Sequence, residues 1–136
     1  MLKHALALLL MGSLTHALQA QTSVATPDNH SANEEFDSFI VVLLVRPPDA
    51  PEMPKEKLDQ LQEAHLANIK RLALEGKILK AGPFEDYSGR NVRGMFICNT
   101  SSKEQAAEWV GTDPSVKAGR LTAEYLKWYV EKGSLK

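Results

Sequence analysis

The chain has 136 residues, of which 43% are hydrophobic and 24% are charged, and its formal net charge is −1. This length accommodates one globular domain, and the composition is that of ordinary folded proteins. The near-neutral charge argues against nucleic acid as a partner, because contacts with many phosphates require a basic excess.

The first 20 residues, MLKHALALLLMGSLTHALQA, have the pattern of a secretory signal peptide. Lys3 supplies a positive start, the apolar run from Ala5 to Met11 is too short to span a bilayer, and the small residue Ala20 ends the segment. We therefore predict an exported protein, periplasmic or secreted, that has no membrane association after cleavage. An uncleaved N-terminal membrane anchor is the alternative interpretation.

The following residues divide into a linker and a domain. Residues 21–37 are rich in Ser, Thr, Asn and Asp and show no apolar period, which is typical of a flexible linker. Residues 38–132 carry the regular apolar patterns, and we predict that they form the folded domain.

The domain begins with a strand followed by a helix. FIVVLLV, residues 39–45, is apolar on both alternating faces and predicts a central strand covered on both sides. After a proline-rich loop, residues 54–75 have the period of an amphipathic helix, with Gly76 placed to end it. His65 lies near the centre of the apolar stripe of this helix, where an aliphatic side chain is expected.

Two short strands and a second helix follow. Residues 77–84 and 92–99 flank a turn-rich segment and predict an antiparallel hairpin. Ser101 and Glu104 have the spacing of a capping box and predict a helix over residues 101–110.

The chain then closes with a helical turn and a strand. Asp113 and Pro114 predict the cap and first position of a short helical turn, for which capping alone is a sufficient explanation of Asp113. Residues 121–130, LTAEYLKWYV, predict the last strand.

The predicted order of strand, helix, strand, strand, helix, strand fits an α+β sandwich of the ferredoxin-like type. Both helices would cover one face of an antiparallel sheet and leave the other face bare. Because the first strand is apolar on both faces, we predict that a second copy of the chain covers the bare face and forms a homodimer.

Few residues of the domain suit metal or thiol chemistry. His4 and His16 lie in the signal peptide and His30 lies in the linker, so His65 is the single histidine of the domain and no metal site is predicted. Cys98 alternates with apolar residues in a strand, which favours a buried, inert thiol. No glycine-rich phosphate loop is present, and no cofactor is predicted.

Four segments resemble the YCII-related domain proteins of the dimeric α/β-barrel superfamily. These segments lie around His65 and at residues 81–86, 92–97 and 113–121, and read EAHLANIKRLALEGK, AGPFED, VRGMFI and DPSVKAGRL. The resemblance extends over nearly all of residues 38–130. It implies a ferredoxin-like protomer that dimerises through its sheet, and a small pocket between helix and sheet.

The resemblance also implies a catalytic histidine–aspartate pair in that pocket. Carried to this chain, the histidine is His65 and the aspartate is Asp86. Two positions depart from the pattern of relatives, since Met95 stands where many have serine and Lys127 where some exported ones have histidine. A few members of the family act on chlorinated hydroxyquinol-type rings.

Each candidate site residue has a structural alternative. His65 is explained equally by a histidine that packs in the core, and Asp86 by a turn residue. Arg93 could bind an anionic group of a ligand or face solvent. The remaining candidates for substrate binding are a glycine–proline pair at a strand end and two aromatic residues that core or dimer contacts also explain: Gly82, Pro83, Tyr125 and Trp128.

Three functions remain open from the sequence. The first is a lyase or isomerase in which His65 takes a proton from a small cyclic or phenolic substrate while Asp86 orients the imidazole. The second is a non-catalytic module that binds a small ligand, and the third is a purely structural homodimer.

Overall fold

A computed structural model of the protein describes residues 35–135. The predicted signal peptide and most of the predicted linker lie outside the described residues. The elements in chain order are β1 (Phe36–Val45), α1 (Lys55–Leu74), β2 (Ile78–Pro83), β3 (Val92–Cys98), α2 (Lys103–Val110), α3 (Pro114–Lys117) and β4 (Thr122–Glu131).

The four strands form one antiparallel sheet in the order β2-β3-β1-β4. The first and third strands lie in the centre, and the helix after β1 and the helix after β3 both pack on one face. This topology confirms the predicted ferredoxin-like α+β fold, with α3 as a short addition before the last strand. None of the helices in residues 35–135 is long and apolar enough to cross a membrane.

Two boundaries differ from the prediction. β1 begins at Phe36, inside the segment predicted as linker, and the backbone N–H of Lys132 closes this end by donating to the carbonyl of Glu35. Ser102, and not Ser101, caps α2, since its hydroxyl accepts from the backbone N–H of Gln105. Both serines have cap chemistry, and the sequence pattern does not distinguish between neighbours.

The core lies between the sheet and the helices. Alternate residues of β1 are buried against α1 and α2, which contribute Leu72, Ala106 and Val110. The largest fully buried hydrophobic side chains come from both the sheet and the helices: Phe96, Leu72, Val42 and Val110. α1 packs over β2 and against α3, whereas α2 packs over β1 and β4.

The opposite face of the sheet is also apolar. In the observed register Val41 lies opposite Leu126 and Phe39 opposite Trp128, and these residues alternate with those that point to the helices. Leu126 is 52% exposed and Trp128 is 40% exposed. The structure therefore leaves large hydrophobic side chains uncovered on this face of a single copy.

Cys98 lies in the core at the end of β3. Its side chain is fully buried, and burial raises the pKa of the thiol from 9.0 to about 11. In the unfolded chain the thiol ionises near its ordinary pKa, whereas in the folded chain it stays protonated to higher pH. Between these two pKa values the unfolded state binds fewer protons, so alkaline pH favours unfolding.

We therefore expect Cys98 to lower the free energy of unfolding by about 2–3 kcal/mol as the pH rises through this window. Urea unfolding of the wild type and of Cys98→Ala, measured below and above the window, tests this expectation. Burial, followed by the charge of Cys98, also raises the pKa of Tyr125, so the difference between the two proteins reports the thiol together with its interaction with Tyr125. Curves of equal pH dependence for the two proteins would contradict the expectation.

Candidate active site

A cavity of about 580 Å³ lies between α1 and the sheet. α1 forms one wall with mainly apolar side chains, and the ends of β1, β2 and β3 form the opposite wall. Ser115 of α3 and the residues after that helix, Arg120 and Leu121, complete the lining. This volume is in the usual range for pockets that bind small molecules.

His65 lines this cavity from the middle of α1. It is 9% exposed, and its imidazole lies beside the ring of Phe96, with the two centroids 6.4 Å apart. Position 65 shares the apolar helix face with Leu61, Ile69 and Leu72, so the helical period itself turns the ring toward the sheet. The predicted inward orientation of His65 is therefore confirmed.

Behind the imidazole lies a buried carboxylate, that of Asp113. The distance between His65 Nδ1 and Asp113 Oδ2 is 2.7 Å, and Asp113 is 0% exposed. The other oxygen, Oδ1, accepts a hydrogen bond of 2.8 Å from the backbone N–H of Ser115 and so caps α3. Asp113 therefore combines the predicted capping function with contact to the histidine.

A second set of hydrogen bonds holds the loop before Asp113 against α1. The Thr112 hydroxyl donates to the carbonyl of Trp109 at 2.6 Å, and the Asn68 side-chain amide donates to the same hydroxyl at 3.3 Å. Asn68 lies one turn of α1 after His65. The carboxylate and the imidazole are thus held by two connections between the same two segments.

This arrangement fixes the tautomer of the imidazole. An ionised carboxylate can only accept hydrogen bonds, so the contact with Asp113 places the ring proton on Nδ1. Nε2 then carries the free lone pair, and it makes no hydrogen bond to the described residues. A histidine in this state, at the lining of a cavity, can accept a proton from a bound molecule and return it.

The expected pairing of His65 with Asp86 is corrected. Asp86 lies in the β2–β3 connection, where its carboxylate accepts from the backbone N–H and hydroxyl of Ser88 and from the backbone N–H of Val92. The bonds from Ser88, followed by that from Val92, hold the pKa of Asp86 below its usual range. Asp86 is not among the residues that line the cavity, and its contacts are those of a turn residue.

Three other predicted substrate-binding residues do line the cavity: Gly82, Pro83 and Arg93. Gly94 explains the close approach of β2 and β3 at this wall, because a Cβ at that position would lie 2.6 Å from the carbonyl oxygen of Gly82. The absence of a side chain at Gly94 therefore shapes the wall.

The two predicted aromatic residues lie elsewhere. Tyr125 packs against the core from β4 and borders a smaller cleft near the start of α2, and Trp128 lies on the open face of the sheet. Neither lines the cavity. Tyr125 lies on β4, the strand at the edge opposite β2, and Trp128 lies on the face of the sheet away from the cavity.

Sequence reasoning missed three residues of the site: Asp113, Arg46 and Arg120. Both arginines line the cavity. Arg46 follows directly on β1 in the predicted proline-rich loop, and Arg120 follows the positive-φ residue Gly119, between the predicted helical turn and the predicted last strand. Within residues 35–135, no group of three or more His, Cys, Asp and Glu side chains could hold a metal ion.

Comparisons with known proteins bear on the family of the chain. A search of curated proteins finds no match. Among solved structures, the chain is similar to 5-chloro-2-hydroxyhydroquinone dehydrochlorinase (TftG) from Burkholderia phenoliruptrix AC1100, in complex with 2,5-dihydroxybenzoquinone. The identity is 20%, the TM-score is 0.45, and the match covers 70% of this chain and 95% of the other.

A family model described as the YCII-related domain matches residues 38–128. The match includes all four strands except the first residues of β1 and the last of β4, and it includes both His65 and Asp113. The chain belongs to the YCII-related domain family.

Proposed function

We propose that this protein is an acid–base enzyme of the lyase or isomerase type that acts on a small cyclic or phenolic molecule. His65 is the general base, and Asp113 orients its imidazole. The observation that carries the proposal is the buried contact of 2.7 Å between His65 Nδ1 and Asp113 Oδ2 at the lining of a cavity of about 580 Å³.

The proposed chemistry requires proton transfer by side chains alone. Nε2 of His65 takes a proton from a carbon or hydroxyl of the bound ring, and the carboxylate of Asp113 stabilises the imidazolium that forms. In a lyase the electron pair released in this way expels a leaving group, and in an isomerase the proton returns at another atom. Burial strengthens the interaction of imidazolium and carboxylate, because little water screens the two charges.

Replacement of His65 tests the proposal. The assay is the change in ultraviolet absorption of a panel of hydroxylated aromatic rings, each with and without a chlorine substituent, on addition of the full chain. We expect His65→Gln to lower the turnover of any accepted ring by about 10²–10⁴-fold, the usual contribution of a positioned base. Gln62→Ala, a change at another residue of the same cavity wall, is the control for altered packing. Equal turnover by wild type and His65→Gln would refute the proposal.

A non-catalytic ligand-binding protein is the second candidate. Two departures from the pattern of relatives favour it. Met95 stands where many relatives have serine, and Lys127 stands where some exported relatives have histidine, so the hydroxyl and the imidazole are both missing. In that case the wild type binds rings of the panel without changing them, and His65→Gln alters only the affinity.

We also propose that the functional unit is an exported homodimer. The second copy would cover the open face of the sheet, where Leu126 and Trp128 are exposed. Export is supported by the signal-peptide pattern of residues 1–20. The intact mass of the protein purified from its native host measures whether those residues are removed.

A further inference from the structure

Three arginines from separate segments line one cavity. Arg46 follows β1, Arg93 lies in β3, and Arg120 lies between α3 and β4. They are far apart in the chain, so their convergence results from the tertiary fold. Asp59, the one carboxylate among the residues that line the same cavity, forms an ion pair with Lys55.

The positive charge of this group is not neutralised by the described part of the protein. Within residues 35–135, no carboxylate lies within salt-bridge distance of Arg46, Arg93 or Arg120. The Arg120 guanidinium donates to the carbonyl of Pro51 at 2.6 Å, a contact that orients it without cancelling its charge.

Arg46 carries the clearest sign of a missing partner. Its Nε is buried and has no hydrogen-bond partner among the described residues. Burial, followed by the charges of Arg93 and Arg120, lowers the pKa of its guanidinium. Arg46 is therefore repelled by both Arg93 and Arg120 at the lining of the cavity, and an anion bound among the three guanidinium groups would relieve this repulsion.

We propose that Arg46, Arg93 and Arg120 form an oxyanion-binding subsite of the cavity and that the substrate carries a carboxylate. This inference rests on the proposed function and names the class of its substrate. Guanidinium groups match the planar, two-oxygen geometry of a carboxylate, and each can donate two parallel hydrogen bonds to it. The carboxylate would anchor the ring while His65 acts on another part of it.

The Ser115 hydroxyl adds a polar group to the same region. Ser115 is 5% exposed and lines the cavity, and its hydroxyl makes no hydrogen bond to the described residues. Its backbone N–H is already bonded to Asp113. The same residue thus adjoins both the subsite and the carboxylate of the acid–base pair.

Calorimetric titration with a matched pair of ligands tests the subsite. The pair is 4-hydroxybenzoate and 4-hydroxybenzyl alcohol, which share the phenol ring and differ in the carboxylate. We expect the full chain to bind the acid about ten- to hundredfold more tightly than the alcohol, because hydrogen bonds between charged groups are strong. Arg46→Gln and Arg93→Gln should each remove most of this preference, whereas the affinity for the alcohol should change little.

Further controls separate the subsite from general charge effects. Arg90→Gln removes an arginine that pairs with Glu124 and does not line the cavity, and it should leave the preference intact. Because Arg93 is exposed, its variant keeps the test valid if Arg46→Gln fails to fold. Inorganic sulfate and phosphate serve as probes without a ring, and they should raise the melting temperature of the wild type more than that of either cavity variant.

The outcomes distinguish this inference from the proposed function. If His65→Gln abolishes turnover but retains the preference for the acid, both stand. If turnover does not depend on His65 while the arginine variants lose the preference for the acid, the subsite is supported and the proposed enzyme is refuted. Equal affinities for acid and alcohol, together with no differential effect of sulfate or phosphate, would overturn the subsite even if the enzyme stands.

Discussion

Asp113→Asn is expected to lower the turnover of the proposed enzyme by about 10²–10⁴-fold while the fold stays intact. In the wild type, Oδ1 accepts from the backbone N–H of Ser115 and Oδ2 accepts from His65 Nδ1. An asparagine keeps one oxygen for the backbone N–H and then presents its NH₂ group to the imidazole. Nδ1 must accept in that arrangement, so the ring proton moves to Nε2 and removes the lone pair of the proposed base.

The effect on stability should be small for Asp113→Asn and large for Asp113→Ala. Asparagine caps a helix about as well as aspartate, whereas alanine loses the cap and leaves the buried imidazole without a partner. We expect a loss of about 2–4 kcal/mol in the free energy of unfolding for the alanine variant, measured by urea denaturation.

One spectroscopic measurement and one control variant accompany the kinetic measurement. The ¹⁵N shifts of the His65 ring report its tautomer without any substrate, and they should exchange between the two nitrogens in Asp113→Asn. Asp86→Asn is the matched control, because it removes the charge of the other candidate aspartate, which lies in a turn outside the cavity. A large loss of turnover in Asp86→Asn with none in Asp113→Asn would show that the assignment is wrong.

Leu126→Glu is expected to convert the proposed homodimer into a monomer. Leu126 lies opposite Val41 on the open face of the sheet, and a two-fold interface would contain the substituted position twice. Each copy would lose the burial of a leucine and place a carboxylate against apolar side chains. We expect the dissociation constant to rise by about a thousandfold or more.

Light scattering of the full chain at micromolar concentration measures this change directly. The wild type should have the mass of two chains, and Leu126→Glu the mass of one. Leu74→Glu is the matched control, since Leu74 is 80% exposed at the end of α1 and lies away from the open face. A wild type with the mass of one chain would refute the homodimer.

Several features of the fold follow from local patterns in the sequence. The alternation of apolar residues identifies β1 and the hairpin strands, and the helical period identifies α1 and places His65 on its buried face. Gly76, with a φ of 71°, ends α1 as predicted, and Asp113 caps α3 as predicted. These features depend on interactions between residues close together in the chain, so their spacing is visible in the sequence.

The partner of the histidine was not predictable in this way. His65 and Asp113 are 48 residues apart, and Asp113 also had a complete local explanation as a helix cap. Asp86 has the same chemistry, and it also lies in one of the segments that carry the family resemblance. Only the folded chain, with α3 packed against α1, shows which carboxylate reaches the ring.

The arginines of the cavity show the same difference between what the sequence predicts and what only the folded chain shows. By itself the sequence determined the α+β class, the order of the elements, the buried orientation of His65 and the family resemblance, because these are recorded in local periods and short motifs. The tertiary structure alone decided that Asp113 pairs with His65 and that Arg46, Arg93 and Arg120 surround one cavity. The physical reason is that contacts between distant segments depend on strand order and helix packing, which leave no fixed spacing in the chain.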